Sequence, residues 1–245
     1  MVKNVDHNTR RSAVLAATIN HYIKYAEPVS SETIARSFEL SSATIRNIFS
    51  ELEEAGYLTH PYTSGGRIPT SKGYRYYVDF LLSQMELLDN EKERIVYEYK
   101  SKISKMDDLL ELTSEVVSAI THYTGIVSFL ESHERIFYKG ISFILEQPEF
   151  QDFDKIRIII KMIEEKERLL DVINRDSSGK IKVYIGEELG CPGMESCSLV
   201  VSSYHLKDRP FGKVAVLGPK RMQYDRTIPT LEYISGVLTS ALEKF

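Results

Sequence analysis

The sequence predicts an α+β chain in two parts. A helical unit carrying one small β-hairpin comes first, and a mixed unit of strands and helices follows, joined to it by a long helix. Three observations predict this. Apolar residues recur at helical spacing through residues 9–55 and 71–122. A glycine-bearing turn, Ser64-Gly65-Gly66, breaks that pattern between two short extended stretches. Strand-like apolar runs then appear late, at 180–185, 196–204 and 212–217. The 245 residues suit two modest domains, expected at 1–88 and 89–245, and a hydrophobic content of 42% is enough for two cores.

The first part reads as follows. Val14, Leu15, Thr18, Ile19 and Tyr22 share one face of a helix over 9–25. Pro28 ends it, because the residue before a proline is pushed out of the α region. Ser31 is expected to cap a short helix through Phe38, and Ser41 the next one, through Ala55. Gly56 stands where a helix C-terminus favours a left-handed residue. Two helices joined by a tight turn make a helix-turn-helix. The extended stretch 57–59, the tip Ser64-Gly65-Gly66 and the return at Arg67-Ile68 add a hairpin, with Pro69 closing it. The tip is assigned to glycine for its access to positive φ. A hairpin directly after a helix-turn-helix is the wing of a winged helix. A helix over 71–88, with Tyr74, Tyr77, Val78 and Leu81 inward, completes the unit.

Residues 89–122 form the longest helical pattern. Val96, Tyr99, Ile103, Met106, Leu110, Thr113, Val117 and Ile120 alternate at steps of three and four, a heptad seam marred only by Thr113. Such a seam pairs two chains, or it covers the chain's own core with the same apolar stripe. A strand over 124–131, a helix over 134–147 stopped by Pro148, and a helix over 152–173 come next. The three late strands and a helix from 225 onward finish an α+β domain, read as an antiparallel sheet with helices on it.

The helix over 42–55 carries the functional signal. At about 100° per residue, Ile45, Phe49 and Leu52 cluster on one side with Ile48 at its edge. Ala43, Arg46, Asn47 and Ser50 form the opposite face, which is small, polar and basic. Those residue types suit the major groove of DNA. Arg46 matches guanine, Asn47 matches adenine, and Ala43 leaves room for a thymine methyl. Ser42 and Thr44, near the helix N-terminus, suit phosphate. Arg67 at the wing, with Lys72 and Arg75 beyond it, extends the same edge.

Charge tempers this reading. Residues 1–80 hold 9 Lys/Arg against 8 Asp/Glu, so affinity for phosphate must come from local placement of charge. Cys191 and Cys197 lack CxxC spacing and a histidine pair, and they read as ordinary packed or half-exposed thiols. The scattered glycines of the second part form no phosphate loop, and HExxH, GxSxG and P-loop patterns are absent. No cofactor and no catalysis are expected. No run approaches the roughly 18–20 apolar residues of a membrane helix, and the N-terminus lacks a secretory h-region. A cytoplasmic protein is therefore expected. Two other classes remain open from the residues: a ligand-sensing regulator triggered by a metabolite, and an interaction module that has lost DNA binding.

The stretch EPVSSETIARSFELSSATIRNIFSELEEAGYLTHPYTSGGRIPTSKGYRYYVDFLL closely resembles the N-terminal domain of the HrcA-type heat-inducible transcription repressors. FYKGISFILEQPEF, VYIGEE, ESCSLVVSSY and GKVAVLGPKRMQY resemble the second half of that family. The resemblance implies a repressor of chaperone genes that binds an inverted-repeat operator as a homodimer. It implies a GAF-like second domain, and an active state that depends on a GroEL-type chaperonin. Ser42, Thr44, Arg46 and Asn47 become recognition-helix contacts, and Ser64, Gly65, Gly66 and Arg67 the wing. Arg221 and Tyr224 lie in a strong family motif and are expected to be structural. Two departures stand out. Ile48-Phe49 replaces the Asp-Met that usually follows Arg-Asn in the family. A long segment that most members carry between the strand at 126–131 and FYKGIS is missing. A reduced GAF-like domain follows, with dimerisation expected on the seam of Val96, Tyr99, Ile103, Met106, Leu110, Val117 and Ile120.

Overall fold

In a computed structural model, residues 7–62, 65–82, 87, 89–99, 105–130, 135–175, 181–207 and 209–243 are described. The chain divides into Met1–Ser83 and Gln84–Phe245, a division that falls before residue 88.

The first unit contains α1 (His7–Tyr25), α2 (Ser31–Phe38), α3 (Ser42–Glu54), β1 (Leu58–Thr59), β2 (Ile68–Pro69) and α4 (Ser71–Leu81). Val14, Leu15, Ile19, Ile45, Leu52, Leu58 and Val78 bury their side chains at its centre. Helix ends follow local chemistry. Ser41 Oγ accepts the Thr44 N–H at 3.1 Å, which caps α3 as expected. Gly56 takes φ +76 just beyond it. The cap of α2 lies one residue earlier than expected. Ser30, not Ser31, accepts the Thr33 N–H at 3.2 Å, and Ser31 is the buried first helical residue. Strands β1 and β2 pair antiparallel, Leu58 with Pro69 and Thr59 with Ile68, so Pro69 is part of the return strand. Tyr74, Tyr77, Val78 and Leu81 of α4 are buried as expected.

The second unit is built on a five-stranded antiparallel sheet. Its strands are β3 (Thr124–Phe129), β4 (Ile136–Lys139), β5 (Ile181–Ile185), β6 (Cys197–Leu206) and β7 (Arg209–Pro219), in the order β4-β3-β7-β6-β5. Helices α5 (Asp89–Glu98), α6 (Met106–Thr121), α7 (Ile141–Leu145), α8 (Phe153–Glu164), α9 (Lys166–Asn174) and α10 (Tyr224–Leu242) surround it. Both faces of the sheet are covered. Cys197, Leu199 and Val201 join the core formed with Ile159 and Ile163 of α8 and Leu169 and Ile173 of α9. On the other face, Ser202 and Ser235 of α10 share a hydrogen bond of 2.8 Å. Two covered faces explain why the late strands read as apolar runs rather than alternations.

The long helix at 89–122 is not continuous. Tyr99 donates its hydroxyl to Thr113 Oγ1 at 2.8 Å. In one straight helix, residues that far apart in sequence sit about 21 Å apart along the axis. The chain therefore folds back between α5 and α6. The off-pattern Thr113 is buried, and its own hydroxyl donates to the Leu109 carbonyl at 2.7 Å. Burial also pushes the Tyr99 hydroxyl well above its ordinary pKa. Helix α6 packs on β3 and α10. The seam thus serves the chain's own core: Leu110 and Val117 are 0% exposed and Ile120 4%. Tyr99 and Met106 are half-buried, Val96 is exposed, and Ile103 lies outside the described residues.

Two more expectations are corrected. Residues 136–139 form β4, an edge strand paired with β3, and not the start of a helix. Gly140 at φ +78 then turns the chain into the short α7, where a Cβ would meet Ser118 Oγ at 1.8 Å. The helix over 152–173 is two helices, parted at Glu165. Neither Gly nor Pro marks that break, which is why the sequence conceals it. Arg221 pairs with Glu149 and donates to Gln147 at 2.9 Å, so it ties the turn before α10 to the turn at 148–150. The Tyr224 hydroxyl lies 2.7 Å from Ser198 Oγ, inside the core. Both cysteines are buried free thiols, and burial pushes Cys197 up to about 12.

Because the seam is core, Leu110→Ala is expected to destabilise the second unit by about 2–5 kcal/mol. Val96→Ala, at a surface site, should stay within about 0.5 kcal/mol. Urea unfolding at several protein concentrations checks this. A cost of Leu110→Ala that grew with dilution would return the seam to an interface between chains.

Candidate nucleic-acid interface

Helix α3 presents the two faces that its periodicity predicts. Ile45, Ile48, Phe49 and Leu52 are all buried, so Ile48 belongs to the core rather than to the edge. Ala43, Arg46, Asn47 and Ser50 are exposed, and Ser42 and Thr44 are half-buried. The first turn holds no acid. The N-terminal hydroxyls are partly engaged by the fold: Ser41 Oγ and Thr44 Oγ1 lie 2.8 Å apart. Arg46 folds back, with its Nε donating to the Ser42 carbonyl at 3.3 Å. A bidentate base contact through Nε would need this bond to open.

The wing is set by close approach rather than by backbone handedness. Among the described glycines, positive φ occurs at Gly56, Gly140, Gly186, Gly190 and Gly193, and neither Gly65 nor Gly66 is among them. Gly66 instead lies against Pro28, where a Cβ would stand 2.6 Å from the Pro28 carbonyl carbon and 2.7 Å from its oxygen. That contact lets Val29 and Arg67 exchange two backbone hydrogen bonds of 2.9 Å, which anchor the returning strand to the start of the helix-turn-helix. Ser64 lies outside the described residues.

The three outer cations are tied into the fold. Arg67 pairs with Glu53 at 3.0 Å and donates to the Gly65 carbonyl at 3.1 Å. Glu53 also holds His60 at the far side of the wing. One acid on the recognition helix thus grips both strands of the hairpin at its base. Lys72 donates to the Ala55 carbonyl at 2.8 Å, at the C-terminal end of α3, where a cation complements the helix dipole. Its ammonium also lies 4.8 Å from the Tyr57 ring centroid. Arg75 pairs with Asp79 one turn on, at 3.4 Å. The Arg67 and Lys72 contacts hold the wing and the start of α4 against α3, whereas the Arg75 pair lies within α4.

A cleft of about 350 Å³ opens between the start of α2, the recognition helix and the wing; Ser30, Glu32, Arg46, Gly66 and Arg67 are among its lining residues. Glu32 and Glu53 are the two site residues that the sequence did not disclose. The Glu53 partnerships run between elements and have no fixed spacing that a motif would show, while Glu32 is held at the start of its own helix by Ser30, Ser31 and its own backbone.

Residues 8–79 match the family described as "Winged helix-turn-helix transcription repressor, HrcA DNA-binding", and residues 128–228 match the "HrcA protein C terminal domain". The heat-inducible transcription repressor HrcA of Moorella thermoacetica is 30% identical, over 96% of this chain and 98% of that protein. The repressor of the same name from Brevibacillus brevis is 28% identical, over 96% of this chain and 99% of its own. That second alignment extends over 338 positions against the 245 residues here, so the relative carries residues that this chain lacks. A solved structure titled "Crystal structure of a hypothetical protein at 2.2 A resolution" shares the fold, with a TM-score of 0.80, 21% identity and coverage of 96% of this chain and 98% of that one.

Gly66→Ala tests the close approach. It is expected to cost the first unit about 1–3 kcal/mol, because the new methyl meets backbone that cannot move aside. Gly65→Ala, 3.2 Å from the Tyr62 carbonyl oxygen, should cost less. Thermal unfolding of the two variants checks the order.

Proposed function

This chain belongs to the HrcA family of heat-inducible transcription repressors, and from that premise we propose that it binds an inverted-repeat operator as a homodimer, through the exposed face of α3. The observation that carries this is the outward set of Ala43, Arg46, Asn47 and Ser50, backed by fully buried Ile45. A helix so held enters a major groove with its polar face to the base edges. Arg46 takes the guanine contact and Asn47 the adenine contact. Ser42 and Thr44 bind phosphate beside the helix N-terminus, and Ser64, Gly65 and Gly66 serve as the wing alongside. Arg67 and Lys72 act first as braces, of the wing and of the C-terminal end of α3, and Arg75 pairs within α4; of the three, Lys72 is held by a carbonyl rather than an acid and keeps its positive potential along the same edge.

Two-fold symmetry of a dimer matches two half-sites of an inverted repeat. The reading assigns the protein to the cytoplasm, where the DNA is; among the described residues, no helix is long and apolar enough to cross a membrane. It takes Gln84–Phe245 as a reduced GAF-like regulatory domain. The segment missing between residue 131 and FYKGIS corresponds to the short link from β3 to β4, where the two strands pair as a hairpin. Derepression follows warming, or withdrawal of a GroEL-type chaperonin.

The test is binding to a duplex carrying the inverted repeat against a scrambled duplex, over a salt series, with and without added chaperonin. Arg46→Ala is expected to cost about 1–3 kcal/mol on the operator and to relax its base preference. Sedimentation of the complex should give two chains per operator. Unchanged affinity and preference in Arg46→Ala removes the assigned docking, and one chain per operator removes the dimer.

A further inference from the structure

The wing turns its charged groups inward and leaves one large side chain outward. His60 and Arg67 both pair with Glu53 of α3. Tyr62, between them in the chain, is 74% exposed. Its hydroxyl has no partner among the described residues. Its backbone is nonetheless held. Pro61 precedes it, with φ fixed by the ring. The Gly65 N–H donates to the Tyr62 carbonyl at 2.9 Å, which ties Tyr62 to the returning side of the wing. Gly65 lies so close that a Cβ there would stand 3.2 Å from the same carbonyl oxygen. Gly65 also lines the cleft that Arg46 of the recognition helix lines, so Tyr62 is held on the flank of the reading face. A lone exposed aromatic is ordinary on a protein surface. Tyr62 differs in its place: it is fixed beside the proposed DNA-reading helix, where the neighbouring cation is already taken by Glu53.

We infer that Tyr62 is the wing's contact to the DNA backbone, its hydroxyl donating to a phosphate oxygen beside the groove that α3 enters and its ring lying against the adjoining deoxyribose. The inference rests on the operator reading above and deepens it. A helix in the major groove is bordered by the sugar–phosphate backbone, and that is what a residue on the flank of α3 meets. A phenol suits this neighbour on both counts. Its O–H donates to an anionic oxygen, and its ring offers an apolar face to the sugar. The contact is also neutral. It displaces no condensed counterion, as a lysine or arginine on a phosphate would. A unit whose wing arginine is spent on a brace thereby gains a backbone contact without adding charge. Such a contact sets the register of the protein on the duplex and carries no sequence information.

The experiment compares the full chain with Tyr62→Phe and Tyr62→Ala on operator and scrambled duplexes across a salt series. Tyr62→Phe, which removes only the donor, is expected to bind both duplexes about two- to ten-fold more weakly. Tyr62→Ala, which removes the ring as well, should lose more on both. The ratio of operator to scrambled affinity should hold, because the contact reads no base. The salt slopes should hold too, whereas loss of a phosphate-binding cation lowers the slope by about one. Nitration with tetranitromethane gives a second readout on the unsubstituted chain. Either duplex should protect Tyr62, while Tyr97, 72% exposed in the second unit, stays reactive. Wild-type affinity of Tyr62→Ala on both duplexes, or nitration of Tyr62 unchanged by DNA, overturns the inference. A loss confined to the operator also overturns it, because Tyr62 would then read a base. Both variants should melt with the unsubstituted chain, as surface substitutions do; a weakened variant that melts early overturns the inference as well, because Tyr62 would then support the wing from within. If the unsubstituted chain shows no preference for the operator, the operator reading fails, and the effect of Tyr62 on either duplex still decides this one. If the unsubstituted chain binds neither duplex, both are overturned.

Discussion

Ile45 has no accessible surface, and the first unit is organised around that fact. A helix with Ile45, Ile48, Phe49 and Leu52 inward has no freedom to rotate about its axis, since a turn of one residue would expose several of them at once. At about 0.8 kcal/mol for each buried methylene, such a rotation costs more than the unit's other contacts return. The orientation of Arg46 and Asn47 is thus set from behind, by apolar burial. The Ser41 cap fixes where the helix starts, and the Glu53 grip on His60 and Arg67 fixes where the wing stands relative to it. The reading face itself contributes almost nothing to stability, so its residues are free to answer to DNA.

Much of this was legible in the sequence, because it depends on local chemistry. Caps, the left-handed Gly56 and the apolar period of α3 are properties of a few consecutive residues. The Ser30 cap was missed by one position, since Ser30 and Ser31 are the same residue type and only the backbone tells them apart. The roles of Arg67 and Lys72 were not legible, because a cation near a glycine turn looks the same whether it awaits a phosphate or already holds a carboxylate. Gly66 was recognised as a necessary glycine for the wrong reason. Positive φ and close approach both select glycine, and only the contact with Pro28 separates them.

The heptad at 96–120 shows a limit of periodicity. A stripe of apolar residues reports that one face of a helix is covered and says nothing of what covers it. Here β3 and α10 do so, within the same chain. Thr113 was the residue at odds with a coiled coil. Its hydroxyl, bonded to Leu109 and approached by Tyr99, belongs to a fold in which the helix turns back on itself. β4 escaped notice for a related reason. It is an edge strand of four residues, three half-buried and Tyr138 exposed, too short for an alternation to stand out, next to a helix whose apolar residues blur its boundary. Its pairing with β3 makes it the edge of the five-stranded sheet.

Charge placement in the first unit carries a last consequence. With cations and acids nearly equal in number across residues 1–80, the unit has little general attraction for a polyanion. Many DNA-binding domains begin from strong sequence-independent affinity and add selectivity to it. Here Glu53 neutralises Arg67, Asp79 pairs with Arg75, and Lys72 is turned toward a carbonyl, so the phosphate term starts small. In the dimeric operator complex proposed above, a larger share of the binding free energy then comes from base contacts and from the coupling of two half-sites. Base contacts and dimer coupling both respond to a loss of geometry, whereas screened phosphate contacts largely do not. A repressor built this way would leave its operator when warming loosens the fold by a modest amount. Low general affinity therefore suits a heat-inducible repressor, whose release must not depend on breaking a large electrostatic attraction to the duplex.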